Sequence, residues 1–196
     1  MKTITAILSV CILLIIPGRG AACVGRKVYL GYGERMDQEI ISQVVATFIS
    51  ERTGSAVVLR EFSSYPEMME ALYRGEISLA VGYLSYQRNG FSPSLKPDRL
   101  SVFRDLKQRF MSDSQVVLLP SLGDRLPTDN RLLARTDIPV LLLRKKTAIR
   151  FPVLPRLLKK LSYRFDHTSL RRLKELAGQT SLTRMAWEYL NREELI

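Results

Sequence analysis

The sequence predicts an α/β protein whose single domain is a three-layer, doubly wound lobe with a mainly parallel sheet and extra C-terminal helices. Two observations predict this class. Short β-rich runs alternate with helical stretches over residues 27–83, and three more helical stretches fill residues 153–192. The length agrees, because 196 residues are enough for one ordinary domain, or two very small ones, and can hold a core without disulfides or metal. The 46% hydrophobic share excludes a disordered or collagen-like chain.

A secretory signal peptide is predicted over residues 1–22. Lys2 precedes an uncharged apolar run from Ile4 to Ile16, and small residues come directly before Cys23. The run rises about 20 Å as a helix, which is short for a hydrocarbon core of roughly 30 Å. An uncleaved N-terminal anchor is the alternative. We therefore expect residues 23–196 to form the lobe of an exported protein.

Cys23 is a candidate lipidation site. The segment Gly20-Ala21-Ala22-Cys23 resembles a bacterial lipobox, in which the cysteine is acylated and becomes the first residue. Cys11 lies inside the signal peptide, so the mature chain keeps one cysteine and cannot form an internal disulfide. Plain cleavage after Ala22 also fits and would leave a free thiol. The expected location is the periplasm or the outer face of a membrane, with or without a lipid anchor at Cys23.

The basic residues are concentrated in one part of the chain. The net charge is +11, and it becomes +9 without residues 1–22, which hold Lys2 and Arg19 but no acid. Between residues 144 and 172, Asp166 is the one acid among ten basic residues. Such a stretch could meet anionic lipid head groups or nucleic acid. An exported protein rarely meets nucleic acid, so no such partner is expected, and a solvated helix face is the favoured interpretation. The ten are Arg144, Lys145, Lys146, Arg150, Arg156, Lys159, Lys160, Arg164, Arg171 and Arg172.

The first half of the mature chain predicts the order β-α-β-α-β. The first helix carries apolar residues at helical spacing, such as Ile40 and Val44, which form one stripe, and Gly54 ends this helix. The second helix begins after Ser63-Ser64, whose hydroxyls can cap it, and ends at Gly75. The predicted strands are Lys27–Tyr32, Ala56–Phe62 and Ile77–Tyr83, and the predicted helices are Met36–Arg52 and a segment from the Ser63-Ser64 cap to about Arg74.

The second half predicts mainly helices. A segment rich in Pro, Asp and Asn predicts a loop over Pro120–Thr136. Stripes such as Leu154, Leu158 and Leu161 are typical of core packing. The predicted helices are Pro97–Phe110, Val153–Leu161, Thr168–Ala177 and Leu182–Arg192, and the predicted strands are Gln115–Leu119 and Pro139–Leu143.

No motif indicates an enzyme, a cofactor or a metal site. His167, beside Asp166, is the one histidine, so neither a zinc site nor a Ser-His-Asp triad has the partners it needs. No nucleophile elbow, Walker A loop or dinucleotide fingerprint occurs, and Gly31-Tyr32-Gly33 is too common a pattern to carry weight. Asp37 and Glu39 point to opposite sides of a helix and make a poor acid/base pair.

Four tyrosines follow the ends of predicted strands. Tyr32, Tyr83 and Tyr86 lie at or just after two of these ends, and Tyr65 lies just after another. Ligands of open α/β sheets bind beyond the carboxyl ends of the strands. Tyrosine ring faces attract cations, so converging tyrosines would suit a quaternary ammonium group. The alternative is that these rings pack the layer of loops.

Two blocks of the chain resemble the substrate-binding proteins of glycine betaine/choline/proline ABC transporters. Gly31 to Ile41 is similar to the family's G-S-K-x-F-T-E-Q-x-I-L motif, with matches at Gly31, Gln38 and Ile40. Ala71 to Ser85 keeps the Gly75-Glu76-Ile77 core and Tyr83 of a second motif, although the acid and the Thr-Gly that close it are lost. The closing helices of the family resemble Phe151–Leu161, Asp166–Leu176 and Met185–Leu190.

The resemblance implies a lobe of the type II periplasmic binding protein kind that binds a small quaternary ammonium solute and serves an ABC permease. It also implies that the family's second lobe is missing, with a residual linker over about residues 120–138. One lobe leaves a bound cation half solvated, so weak binding is expected, and a homodimer could rebuild a two-walled cleft. An exported interaction protein that kept the lobe and lost solute binding is the alternative. The candidate ligand-binding residues are the wall Tyr32, Tyr65, Tyr83 and Tyr86, with Gln38 as a polar contact.

Overall fold

A computed structural model describes residues 27–85, 108, 115–122, 137–165 and 167–196. The predicted signal peptide, Cys23, Tyr86, most of the helix predicted at 97–110 and most of the predicted linker lie outside the described residues. Within the described ranges, no helix is long and apolar enough to cross a membrane.

The described strands form one sheet in the order β2-β1-β3-β5-β4. β1 pairs in parallel with β2 and β3, whereas β5 runs antiparallel to β3 and β4. Four of these five strands therefore share one direction. The strands are β1 (Val28–Gly33), β2 (Val57–Phe62), β3 (Leu79–Ser85), β4 (Val116–Leu118) and β5 (Asp137–Arg144).

The pairing register brings leucines into one row across the sheet. Leu30 lies beside Leu59 on one side and Leu79 on the other, and Leu79 lies beside Leu143. Leu30, Leu79 and Leu143 are fully buried in one apolar cluster, against which Leu59 packs. The helices on this face of the sheet pack against this row of leucines.

Six helices are described, and their ends follow local signals. Gly54 (φ 66°) and Gly75 (φ 82°) end the first two in the left-handed conformation, as predicted. The hydroxyls of Ser64 and Ser181 accept backbone N–H groups at the starts of two helices. The helices are α1 (Met36–Thr53), α2 (Tyr65–Arg74), α3 (Lys145–Arg150), α4 (Val153–Arg164), α5 (His167–Ala177) and α6 (Leu182–Arg192).

The helices cover both faces of the sheet, which gives three layers. α1, α4, α5 and α6 share one apolar cluster with the leucine row. On the other face, Met68 and Leu72 of α2 pack with Ile77, Val140 and Leu142. This arrangement confirms the predicted α/β class, its layering and the C-terminal helices.

Helix α1 differs from the expectation of a single apolar stripe. Its apolar residues Ile40, Val44 and Phe48 are fully buried, but Ser42 and Thr47 are buried as well. The reason is that α6 and α5 contact the side of α1 that faces away from the sheet. Helix α1 is therefore the central helix of the lobe.

Helix α3 was not predicted. Its six residues are too few to show a helical period in the sequence. It begins where β5 ends, and the Lys145 N–H donates to the Gln115 carbonyl at 2.7 Å.

Part of the predicted loop over residues 120–136 belongs to the lobe. The backbone N–H of Leu122 donates to the carbonyl of Pro139 at 3.0 Å, and Leu122 is buried in the apolar cluster of the α1 face. Ser121 is also buried.

Candidate functional site

The candidate site lies at the carboxyl edge, where β1, β2 and β3 end at Gly33, Phe62 and Ser85. Helices α1 and α2 begin at the same edge, because each follows its strand after a short turn. Ligand crevices of open α/β sheets occupy this position. This end of the sheet, where β1, β2 and β3 finish, is its carboxyl edge, and the end where they begin is its amino edge.

Tyr83 of β3 carries a cation on its ring. The guanidinium carbon of Arg35 lies 4.3 Å from the centroid of the Tyr83 ring, within the distance of a cation–π contact. Nε and Nη2 of Arg35 also donate to the two carboxylate oxygens of Asp37, at 3.2 and 3.1 Å. Nζ of Lys174, on α5, lies 3.8 Å from Oδ2 of Asp37. The side chain of Arg35 remains 51% exposed, so it forms part of the surface of the crevice.

Asp37 is the buried anion of this cluster, at 9% exposure. Burial alone raises the pKa of its carboxyl. The hydrogen bonds from Arg35, together with the charges of Arg35 and Lys174, outweigh burial and leave the pKa below its ordinary value. Asp37 is therefore ionised at neutral pH, and it fixes Arg35 against the Tyr83 ring.

Sequence analysis missed Arg35 and Lys174. Arg35 stands directly before α1, inside the Gly31–Ile41 motif, and its place beside Asp37 was a usable signal. Lys174 had none, because only the packing of α5 against α1 brings it to Asp37. Asp37 itself was rejected as an acid/base partner for Glu39 and was not predicted to bind Arg35.

Tyr32 lies on the same face of the sheet as Tyr83. Its half-buried ring packs against the apolar cluster of the α1 face. Burial raises the pKa of the Tyr32 phenol, and the carboxylates of Glu61 and Glu39 raise it further. Glu61 lies directly beside Tyr32 in the register of β1 and β2. The negative potential around this ring favours a cation nearby.

Gln38 is buried over the turn between β1 and α1. A Cβ atom placed on Gly33 would lie 2.5 Å from Oε1 of Gln38, so the amide rests on the backbone of that glycine. Gln38 is 7% exposed. The predicted polar contact therefore lies at the carboxyl edge, one residue from Asp37.

Tyr65 lies on the opposite face of the sheet. Its ring covers Gly82, where an added Cβ would be 3.3 Å from Cε2 of Tyr65. Tyr65 is 42% exposed, yet partial burial of its phenol raises its pKa. The structure thus brings Tyr32, Tyr83 and Gln38 to one face and edge, and places Tyr65 at the same edge behind the sheet. Tyr86 lies outside the described residues.

Comparison with known proteins identifies the fold. No protein-family model matches the sequence, and no curated protein matches it. Among solved structures, a glycine betaine/carnitine/choline ABC transporter protein aligns with a TM-score of 0.68 at 13% identity, over 87% of this chain and 99% of that chain. Apo YehZ from Escherichia coli aligns with a TM-score of 0.70 at 9% identity, over 87% and 99%. The chain has the fold of a substrate-binding protein. At these identities the likeness concerns the fold.

The groups at the carboxyl edge are suited to electrostatic and aromatic contacts. Within the described ranges, no group of three His, Cys, Asp or Glu residues could hold a metal ion. The carboxyl edge instead presents an aromatic ring face, an ionised carboxylate and two basic side chains. Such an arrangement can hold a charged solute on the ring of Tyr83, provided that Arg35 makes room for it.

Proposed function

We propose that this chain is an exported, non-enzymatic solute-binding protein of an ABC-type importer, and that it binds a quaternary ammonium solute at the carboxyl edge. The observation that carries the proposal is the cation already held on Tyr83, with the guanidinium of Arg35 at 4.3 Å and the ionised Asp37 beside it. A ring face next to a carboxylate is the chemistry that suits a quaternary ammonium group. Tyr32, with Glu61 beside it, extends this cation-attracting surface.

Arg35 competes with the solute for the same ring face. A solute cation reaches Tyr83 only after Arg35 swings away and loses its stacking on the ring. The single lobe adds a second weakness, because a half-solvated cation–π contact is worth about 0.5–1 kcal/mol, against about 2 kcal/mol when it is desolvated. We expect an affinity of the wild-type chain well weaker than micromolar.

The export and partner proposals follow from the sequence. An exported chain with a lipid anchor at Cys23 would stay near a permease in the membrane. Mass spectrometry of the processed protein tests the anchor, because acylation adds the mass of fatty acyl chains to Cys23. An unmodified cysteine at the N-terminus would show that the signal peptide is cleaved without acylation of Cys23.

A thermal-shift titration tests solute binding, because a ligand that binds only the folded state raises its melting temperature. The probes are glycine betaine and choline at millimolar concentrations. The matched control ligand is 3,3-dimethylbutan-1-ol, which has the shape of choline without its charge. We expect choline to raise the melting temperature, the neutral alcohol to leave it unchanged, and Tyr83→Ala to abolish the choline shift. An equal shift with both compounds, or with Tyr83→Ala, would contradict a cation site on Tyr83.

The second candidate function is an exported interaction protein that has lost solute binding. The observation in its favour is the contact of Arg35 with both Tyr83 and Asp37. Because Arg35 already occupies the ring face and the carboxylate, neither group needs a solute as a partner. In this case no quaternary amine shifts the melting temperature, even with Arg35→Ala, and the crevice or the edge strand β2 would dock a protein.

A further inference from the structure

Helices α3 and α4 follow one another along the chain and carry a run of basic residues, and α3 begins at the amino edge of the sheet. Residues 144–165 contain eight Lys or Arg residues and no Asp or Glu. Every one of these eight except the partly buried Arg144 is exposed. A solvated helix usually intersperses acids four residues from its bases, which neutralises repulsion, and this segment has none. The basic face consists of Arg144, Lys145, Lys146, Arg150, Arg156, Lys159, Lys160 and Arg164.

Large apolar side chains are exposed among these cations. Ile149 is 72% exposed, Tyr163 is 48% exposed and Val153 is 42% exposed. Ile149 and Val153 lie on either side of the tight turn that joins α3 to α4, where the Leu154 N–H donates to the Phe151 carbonyl at 3.0 Å. One exposed apolar residue needs no explanation, but cations mixed with exposed apolar residues are the composition of surfaces that lie on membranes.

An open cleft of about 440 Å³ lies within the basic face. Its lining includes Arg144, Lys145 and Lys146, with Ile149 and Gln115 beside them. Three cations suit the phosphate of a lipid head group, and the neighbouring Ile149 suits the glycerol and acyl region. The basic cleft therefore suits the head group of a phospholipid, and the exposed Ile149, called the apolar tip below, suits its acyl region.

The position of the basic face is compatible with the proposed solute site. Arg144 pairs with Val116 at the start of β4, and Leu143 pairs with Leu79 at the start of β3, so the part of the face that holds the cleft lies at the amino edge. A membrane at this edge leaves the crevice at the carboxyl edge open. β1 also starts here at Val28, five residues after Cys23 in the sequence, so a lipid on Cys23 would reinforce the same contact.

We propose that the basic face docks the protein on a bilayer of anionic phospholipid, with head-group phosphates held by Arg144, Lys145 and Lys146 and with Ile149 inserted beside them. Electrostatic attraction supplies long-range affinity, and the apolar tip supplies the short-range contact. Nucleic acid is the weaker fit, because exposed Ile149 and Val153 add nothing to phosphate-backbone binding.

Co-sedimentation with vesicles tests the proposal on the chain from residue 24 onward, which contains every described element and cannot be acylated at Cys23. One set of vesicles is neutral phosphatidylcholine. The other contains about 30% phosphatidylglycerol, which makes the surface anionic. The test variant combines Lys145→Gln, Lys146→Gln and Arg150→Gln. The charge-matched control combines Arg60→Gln, Arg184→Gln and Arg192→Gln, on β2 and α6. Ile149→Ser tests the apolar contact separately.

We expect binding to the anionic vesicles alone, with strong weakening in high salt. The test variant should lose roughly a hundredfold in partitioning, about fivefold for each charge, whereas the control variant changes less than about fivefold. Ile149→Ser should lose about tenfold. Equal binding to both vesicles, an equal loss in both charge variants, or tighter binding to a duplex oligonucleotide than to anionic vesicles would overturn the proposal. Circular dichroism of each variant confirms that it is folded.

Discussion

Asp37 holds two basic side chains at the carboxyl edge, although one of them comes from a distant helix. Arg35 binds both of its carboxylate oxygens, and Lys174 approaches from α5. Because burial and charge pairing act together, removal of this carboxylate would leave two basic groups facing each other. A single buried carboxylate thus positions both basic side chains at the carboxyl edge.

Asp37→Asn is predicted to destabilise the fold in a pH-dependent way. The pKa of Asp37 is lower in the folded state than its unfolded value of about 3.9, so the carboxylate stabilises the fold above pH 4 and loses this effect as the pH falls through the folded pKa. We expect the free energy of unfolding of the variant, measured by urea unfolding, to be about 1–3 kcal/mol below that of the wild type at pH 7. The difference in unfolding free energy between the wild type and Asp37→Asn should become smaller below pH 4. The control Glu34→Gln, at an exposed position, should show little change, and a gap independent of pH would exclude the linkage.

The positions of the site residues were partly predictable. Strand ends mark the carboxyl edge, so Tyr32, Tyr65 and Tyr83 could be assigned to it from local pattern alone. The face each ring occupies was not predictable for Tyr65, since it depends on how α2 packs over Gly82. The contact of Arg35 with Tyr83 joins two residues far apart in sequence, and no local period indicates it.

Among the elements, α1 and α6 define the centre of the lobe. Met185 and Ala186 of α6 are fully buried in the cluster that contains Val44 and Phe48 of α1. Gln43 of α1 and Thr183 of α6 also share a hydrogen bond at 3.3 Å. The C-terminal helices are therefore part of the core rather than an addition to it.

A pair of substitutions in α6 tests its place in the core. Met185→Ala removes a fully buried side chain and should cost about 2–5 kcal/mol. Trp187→Ala changes a residue that is 47% exposed on the same helix, and should cost less than about 1 kcal/mol. Urea unfolding measures both. Similar losses in the two variants would show that α6 does not pack as described.

Elements with strong local signals were predicted well. The caps at Ser64, Gly54 and Gly75 act within four residues, so sequence inspection finds them. Helix α3 was missed because its stability comes from its attachment to β5 and β4 rather than from its own period. The burial of Ser42 and Thr47 on α1 was missed for a related reason, because α5 and α6 pack against α1 only in the folded chain.

At the scale of the whole molecule, the described residues form one three-layer lobe. Apart from Ile149 and Val153 on the basic face, the large exposed apolar residues that the structure describes lie on several elements, among them Val58 on β2 and Trp187 on α6. A stable dimer interface requires a continuous patch of at least about 1,000 Å² in total. We therefore expect a monomer, because no such patch is recorded among the described residues.

Light scattering tests this expectation. We predict the mass of one chain, at most 22.4 kDa, both without solute and with choline. A doubled mass in the presence of choline would show instead that a second copy supplies the other wall of the crevice, and the expected weak affinity would then no longer hold.

The most direct test of the solute site is a calorimetric titration of choline into the Arg35→Ala variant. Without Arg35 the ring of Tyr83 is uncovered and the crevice loses one positive charge, so choline should bind at least about fivefold more tightly than it binds the wild type. Adding Tyr83→Ala to this variant should remove the gain. A cation site on Tyr83 is excluded if Arg35→Ala binds choline no better than the wild type, or if the double variant retains the improved affinity.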